Sequence, residues 1–93
     1  MALFLISYDI NEKDAFEYDA LWNNLKDMGA QRILYSEWIV SGRSSIDVYD
    51  QIAPLMQRKD RLLVLEITNN AAWDKLLISD DSFRAWIARH ARG

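Results

Sequence analysis

The sequence predicts an α+β fold in which helices pack against one four-stranded sheet. Apolar, β-branched and aromatic residues concentrate in short segments at residues 3–10, 31–41 and 61–68, which is typical of strands. Between these segments, apolar residues recur at helical spacing. Only one proline and three glycines occur among 93 residues, and 51% of the residues are hydrophobic. This composition excludes a disordered or low-complexity chain, and the length suits a single domain.

The first predicted strand covers residues 3–10. Side chains alternate across a strand, so Phe4 and Ile6 point to one face of the sheet while Leu3 and Leu5 point to the other. Because both faces begin with apolar side chains, we expect both faces of this sheet to be covered.

The first predicted helix follows a polar turn in which Asn11 or Asp14 is expected to cap the helix start. Gly29 is expected at its C-terminal end, where a left-handed conformation is needed. Its apolar stripe repeats every three or four residues and consists of Tyr18, Leu21, Trp22, Leu25 and Met28.

Residues 31–41 are rich in strand-forming residues but are long for one strand. Ser36 and Glu37 form the only polar pair at the centre of this segment, which predicts two strands joined by a sharp turn. One long, bent strand is the alternative.

The second predicted helix begins at Ser44, because Ser44 and Asp47 have the spacing of a capping box. Pro54 lies inside the predicted helix and is expected to bend it. Its apolar stripe consists of Val48, Tyr49, Ile52, Leu55 and Met56.

The last predicted strand covers residues 61–68, and a final helix that starts after Ser79 carries Phe83, Trp86 and Ile87 on one face. Among the helix and strand residues, we expect four leucine and isoleucine side chains to be buried: Leu25, Ile52, Leu63 and Leu65.

The resulting order βαββαβ predicts a ferredoxin-like sandwich with a C-terminal helical extension. We expect one domain over residues 1–93, with a core at residues 2–68 and the extension at residues 69–93. Two helices cover only one face of a four-stranded sheet. The other apolar face is therefore expected to be covered by a helix of the extension or by a second copy of the chain.

Composition narrows the chemistry that this chain can perform. It contains no cysteine and one histidine. The absence of cysteine excludes thiolate metal sites, and the composition argues strongly against a catalytic triad with a serine or cysteine nucleophile. The remaining alternatives are carboxylate chemistry with Mg²⁺ or Mn²⁺ and no catalytic chemistry at all. The net charge of −3 argues against a surface that coats nucleic acid.

No apolar run approaches the ~20 residues of a membrane span, and the start lacks a basic signal-peptide region, so a cytoplasmic location is expected.

Asp9 is the main candidate for a functional residue because it lies where the first strand ends. It either caps the following turn or binds a metal ion. One aspartate per chain is too few for a magnesium site, but a symmetric dimer pairs Asp9 with its copy across the two-fold axis.

Four short stretches resemble one known family. Residues 5–10 end in Tyr8-Asp9, the first helix ends in Met28-Gly29, Ser36 lies at the centre of residues 32–40, and residues 60–65 form a strand that follows an aspartate. The pattern covers residues 3–68 and is similar to the small CRISPR-associated endonucleases of the Cas-two type and to the related virulence-associated protein D. Tyr8-Asp9 is its most specific part.

The resemblance implies a ferredoxin-like homodimer with metal-dependent cleavage of RNA or DNA, in which Asp9 is the metal-binding residue and Ser36 a second catalytic residue. The first hypothesis is therefore a Mg²⁺- or Mn²⁺-dependent endoribonuclease, which Tyr8-Asp9 favours. The second is a non-catalytic dimeric adaptor that binds a protein partner. A third, a toxin-like ribonuclease, shares the chemistry of the first. The acidic first helix favours the adaptor, as does Tyr35, which replaces the basic residue that the family has beside the serine.

Overall fold

The computed structural model of the chain describes residues 1–10 and 18–93. The strands of this part are β1 (Ala2–Asp9), β2 (Gln31–Leu34), β3 (Glu37–Gly42) and β4 (Arg61–Ile67). The helices are α1 (Asp19–Asp27), α2 (Ser45–Ile52) and α3 (Asp80–His90), and a short 3-10 helix at Ala53–Leu55 follows α2.

The four strands form one antiparallel sheet in the order β2-β3-β1-β4. Strands β1 and β3 are central, whereas β2 and β4 are the edges. The predicted α+β class is confirmed, and the sheet with its three helices is compatible with a ferredoxin-like fold.

Residues 31–41 form two strands, as predicted. Strand β2 ends at Leu34 and β3 begins at Glu37, so Tyr35 and Ser36 form a two-residue turn between antiparallel neighbours. The alternative of one long bent strand is wrong.

The ends of α1 and α2 follow from local chemistry. The Ser44 hydroxyl accepts a 3.0 Å hydrogen bond from the Asp47 backbone N–H, which confirms the predicted cap of α2. Gly29 follows α1 with a φ of +80°, a left-handed conformation that costs glycine little. The predicted caps of α1, Asn11 and Asp14, lie outside the described residues.

Helix α2 ends earlier than the apolar stripe predicts. Proline has no backbone N–H to continue the helix, and Pro54 lies in the 3-10 helix beyond Ile52 rather than at a bend inside α2. Val48 and Ile52 are buried, but Tyr49 is exposed and does not belong to the buried side of the helix.

The inner face of the sheet packs against α1 and α2. One continuous cluster of buried side chains joins the sheet to both helices. Its members are Ala2, Phe4, Ile6, Tyr8, Tyr18, Leu21, Leu25, Trp38, Val40, Val48 and Ile52.

The C-terminal extension covers part of the outer face. Leu3, Ile33, Ile39 and Phe83 form the buried centre of a second cluster. Residues of the segment before α3 and of α3 pack around it: Trp73, Leu76, Ile78, Trp86, Ile87 and Ala91. The Leu77 N–H also donates a 2.8 Å hydrogen bond to the Ile33 carbonyl on the β2 edge. The sequence left two alternatives for covering this face, a helix of the extension or a second copy of the chain. The extension covers part of it.

The predicted burial is right for two residues and wrong for two. Leu25 and Ile52 are fully buried, but Leu63 is 54% exposed and Leu65 is 40% exposed. Both lie on the outer face of β4, where Ile67 packs in the second cluster but Leu63 and Leu65 do not. We call Leu63 and Leu65 the outer leucine strip. Within the described residues, no helix has the length and apolar character needed to cross a membrane.

Candidate functional site

Asp9 is the last residue of β1, and its carboxylate lies at the open end of the sheet. Antiparallel pairing places it opposite Arg61, the first residue of β4. An Arg61 guanidinium nitrogen lies 3.6 Å from an Asp9 carboxylate oxygen, and both side chains are well exposed. Such an exposed ion pair contributes little to folding stability, so the Asp9 carboxylate is available to another ligand.

A shallow cleft of about 100 Å³ opens beside this ion pair. Its walls are Asp9, Ile10, Lys59 and Arg61, so two cations flank one carboxylate. We call it the Asp9 cleft. The turn that carries Lys59 is fixed by the neighbouring Asp60, whose carboxylate accepts hydrogen bonds from the Gln57 N–H at 2.7 Å and from the Tyr18 hydroxyl at 2.9 Å.

Ser36 lies at the same end of the sheet as Asp9. The Tyr8 backbone N–H donates a 3.2 Å hydrogen bond to the Ser36 carbonyl, so the β2–β3 turn abuts the end of β1. The Ser36 residue is exposed. Two candidates separated by 27 positions in the sequence are thus brought to one edge.

Tyr8 and Asp9 point to opposite faces, because side chains alternate along β1. The Tyr8 hydroxyl is buried and accepts hydrogen bonds from the indole N–H groups of Trp38, at 3.0 Å, and Trp22, at 3.3 Å. Of the Tyr8-Asp9 pair, the most specific part of the family resemblance, Tyr8 is therefore a buried structural residue and Asp9 an exposed carboxylate. Sequence reasoning missed this indole pair because its members come from different elements.

No group of three histidine, cysteine, aspartate or glutamate side chains that could hold a metal ion occurs within residues 1–10 and 18–93. Asp9 supplies one carboxylate per chain. Its oxygen is the ligand type that Mg²⁺ and Mn²⁺ prefer, but further ligands are needed. His90, the one histidine of the sequence, lies against the Trp86 ring on α3.

The outer leucine strip continues the row of side chains that begins at the Asp9 cleft. Along β4, Arg61, Leu63 and Leu65 share the outer face, and they pair with Asp9, Ser7 and Leu5 of β1 respectively. An exposed apolar surface therefore adjoins the candidate carboxylate on the same side of the sheet.

The chain was also compared with models of known protein families. No family model matches it.

Proposed function

We propose that this protein is a homodimeric Mg²⁺- or Mn²⁺-dependent endoribonuclease of the Cas-two type, built on a ferredoxin-like βαββαβ fold. The antiparallel strand order β2-β3-β1-β4 and the positions of α1 and α2 support that fold. The resemblance of Tyr8-Asp9 and its flanking residues to this family supports the activity.

One observation carries the proposal: Asp9 lies at the end of an uncovered apolar row on the outer face. Leu63 and Leu65 are exposed in the single chain, and a second copy that packs on them would remove them from water. A two-fold axis that passes beside the Asp9 end of this row would bring Asp9 close to Asp9 of the partner subunit.

The paired carboxylates fit a magnesium or manganese ion in the dimer, with water completing its oxygen ligands. A bound ion would supply the Lewis acidity that activates water for attack on a phosphodiester and would stabilise the negative charge that develops on the phosphoryl oxygens. Lys59 and Arg61 in the Asp9 cleft would attract the phosphate. The hydroxyl of Ser36, an exposed residue on the adjoining turn, would donate a hydrogen bond to the bound nucleic acid.

A non-catalytic dimeric adaptor is the second candidate function. The observation that favours it is the Asp9–Arg61 ion pair, which compensates the Asp9 carboxylate with a cation of the same chain. In this case a partner protein uses the surface around the outer leucine strip, and Asp9 only fixes the end of β1.

Thermal melting with and without Mn²⁺ separates the two functions. For the nuclease, Mn²⁺ raises the melting temperature of the wild type because it binds only the folded dimer. Asp9→Asn removes this shift while leaving the metal-free stability unchanged or slightly higher, since a like-charge pair is lost. Asp74→Asn, which changes an exposed aspartate elsewhere, keeps the shift.

The adaptor predicts a different pattern. Mn²⁺ leaves the melting curves of all three proteins unchanged, and Asp9→Asn mildly lowers the melting temperature by removing the ion pair with Arg61. A wild type without a metal-dependent shift contradicts the nuclease proposal.

A further inference from the structure

A second cavity lies on the C-terminal extension, beside the start of α3. Its walls are Ala71, Ala72, Trp73, Asp80 and Arg84, and we call it the Trp73 pocket. Its volume is about 280 Å³, just below the ~300–1,000 Å³ of sites for drug-sized ligands. The Trp73 pocket therefore has room for a small organic molecule, and it shares no wall residue with the Asp9 cleft.

The indole of Trp73 is a fixed wall of this pocket. Its ring packs edge-to-face against Phe83, with 4.6 Å between the ring centres, and Phe83 is buried in the second cluster. The indole N–H donates a 3.2 Å hydrogen bond to the Asp80 carboxylate. Because the ring and its nitrogen are both held, this wall loses little conformational entropy when a ligand binds.

Two opposite charges contact the same indole from different directions. The Arg84 guanidinium lies over the Trp73 ring, 5.1 Å from its centre, whereas the Asp80 carboxylate accepts at the ring nitrogen. Asp80 and Arg84 are four positions apart on α3, the spacing at which an acid and a base form ion pairs on a helix. Within residues 1–10 and 18–93, however, neither of them takes part in an ion pair. Both are exposed, so the pocket offers one anion and one cation to a ligand.

This arrangement is complementary to a small zwitterion. A free α-amino acid carries an ammonium group and a carboxylate on the same carbon atom, so one cavity can hold both charges. An arginine fork binds a carboxylate through two parallel hydrogen bonds, and an aspartate accepts hydrogen bonds from an ammonium group. The methyl groups of Ala71 and Ala72 add an apolar wall for an aliphatic side chain. A ligand with a single charge would leave one wall charge unpaired.

We propose that the Trp73 pocket binds a free α-amino acid with an aliphatic side chain, its carboxylate on Arg84 and its ammonium group on Asp80. This site is independent of the proposed ribonuclease function, because it uses none of the same residues. A ligand in the pocket joins the segment before α3 to α3 itself. Binding therefore stabilises the folded extension.

Nuclear magnetic resonance of the full-length protein, labelled with ¹⁵N at tryptophan, observes the pocket directly. The chain has four tryptophans, and the indole N–H signal that disappears in Trp73→Phe belongs to Trp73. We expect leucine to shift this signal with a dissociation constant in the millimolar range, because both charged contacts are exposed to water. The indole signal of Trp38, which lies in the inner cluster, stays in place.

Derivatives of leucine test its two charges separately. N-acetyl-leucine lacks the ammonium group, and leucine amide lacks the carboxylate. Each is expected to bind about tenfold more weakly than leucine, which is the scale of one charge-assisted hydrogen bond. Glycine, which has no side chain to place against Ala71 and Ala72, is also expected to bind more weakly.

Two pairs of matched variants assign the contacts. Asp80→Asn removes the negative charge but keeps an oxygen that accepts from the Trp73 indole, and it weakens leucine binding about tenfold. Asp81→Asn changes the other exposed acid in the first turn of α3 and leaves binding unchanged. Arg84→Gln weakens binding about tenfold. Arg89→Gln, at an exposed arginine in the last turn of α3, leaves it unchanged.

A Trp73 signal that does not move in millimolar leucine overturns the inference, as does a derivative lacking one charge that binds as tightly as leucine. Equal binding by Asp80→Asn and Asp81→Asn, or by Arg84→Gln and Arg89→Gln, also overturns it. The Mn²⁺-dependent melting shift through Asp9 is a separate readout. Either proposal can therefore fail while the other stands.

Discussion

The Trp38 indole donates a 3.0 Å hydrogen bond to the hydroxyl of Tyr8 in the buried inner layer of the protein. Trp22 donates a second hydrogen bond to the same oxygen at 3.3 Å. One hydroxyl thereby connects β1, β3 and α1, immediately behind the end of the strand that carries Asp9. This contact fixes the side chain next to Asp9 in the chain.

Tyr8→Phe is expected to destabilise the protein by about 1–3 kcal/mol, because the buried Trp38 indole N–H and the partly buried Trp22 indole N–H both lose their acceptor. Urea unfolding followed by circular dichroism measures the change. Tyr49→Phe removes an exposed hydroxyl and is expected to change stability by less than about 0.5 kcal/mol. Equal stability of Tyr8→Phe and wild type would show that the hydroxyl has no structural role.

Gly42 packs too closely against α2 to accept a side chain. A Cβ atom at this position would lie 2.7 Å from a methyl group of Val48, which is fully buried. Gly42→Ala is therefore expected to cost about 1–3 kcal/mol through overpacking. Val48→Ala in the same chain makes room, so the double variant should be more stable than the sum of the two single effects predicts. Strict additivity in urea unfolding would refute this contact as the cause.

Most of the fold could be predicted from local patterns. Ser44 and Gly29 mark helix ends by their own chemistry, and the polar pair at Ser36 and Glu37 marks the turn between two strands. Periodicity failed at Leu63 and Leu65 because alternation shows which residues share a face but not what covers that face. The segment before α3 covers part of it without a regular repeat that would reveal its path.

The candidate site was only partly predictable. The end of an apolar strand placed Asp9 at the sheet edge, but its pairing with Arg61 depends on the register between strands 52 positions apart. In the sequence, Tyr35 is distinguished only by its departure from the family pattern. Its exposure and the Arg32 hydrogen bond that fixes its turn arise from tertiary structure.

Dimer formation should depend on the outer leucine strip. Light scattering at micromolar concentration should give a dimer of the 10.9 kDa chain, with an interface of over ~1,000 Å² in total. Leu63→Glu should dissociate it while leaving the circular dichroism spectrum unchanged, because Leu63 is exposed in the single chain. Ile46→Glu, at an exposed apolar position on α2, should remain dimeric. A wild type that stays monomeric contradicts the dimer.

Stability at acidic pH should reflect the bidentate contact between Glu66 on β4 and Arg92 near the C-terminus, with distances of 2.7 and 2.8 Å. The hydrogen bond from Arg92 holds the pKa of the Glu66 carboxyl below its ordinary value of 4.5. A carboxyl whose pKa is lower in the folded state stabilises the protein fully above the unfolded pKa and loses this contribution as the pH falls through the folded pKa.

Urea unfolding of wild type and Glu66→Gln at pH 7 and pH 3 tests this contact. The wild type should be more stable than Glu66→Gln at pH 7, and this difference should shrink towards pH 3 as the falling pH protonates Glu66. A difference that is the same at both pH values would assign the effect to packing rather than to charge.

The central claim is that Asp9 binds a catalytic metal ion, and the rate of Mn²⁺-dependent cleavage of a single-stranded RNA tests it most directly. We predict that the wild type cleaves the RNA and that EDTA stops the cleavage. Asp9→Asn should lower the cleavage rate by at least ~100-fold, the loss typical of removing an electrostatic contact to the transition state. Asp74→Asn should cleave at the wild-type rate. Wild type that does not cut RNA in Mn²⁺, or Asp9→Asn that cuts it as fast as wild type, would contradict the claim.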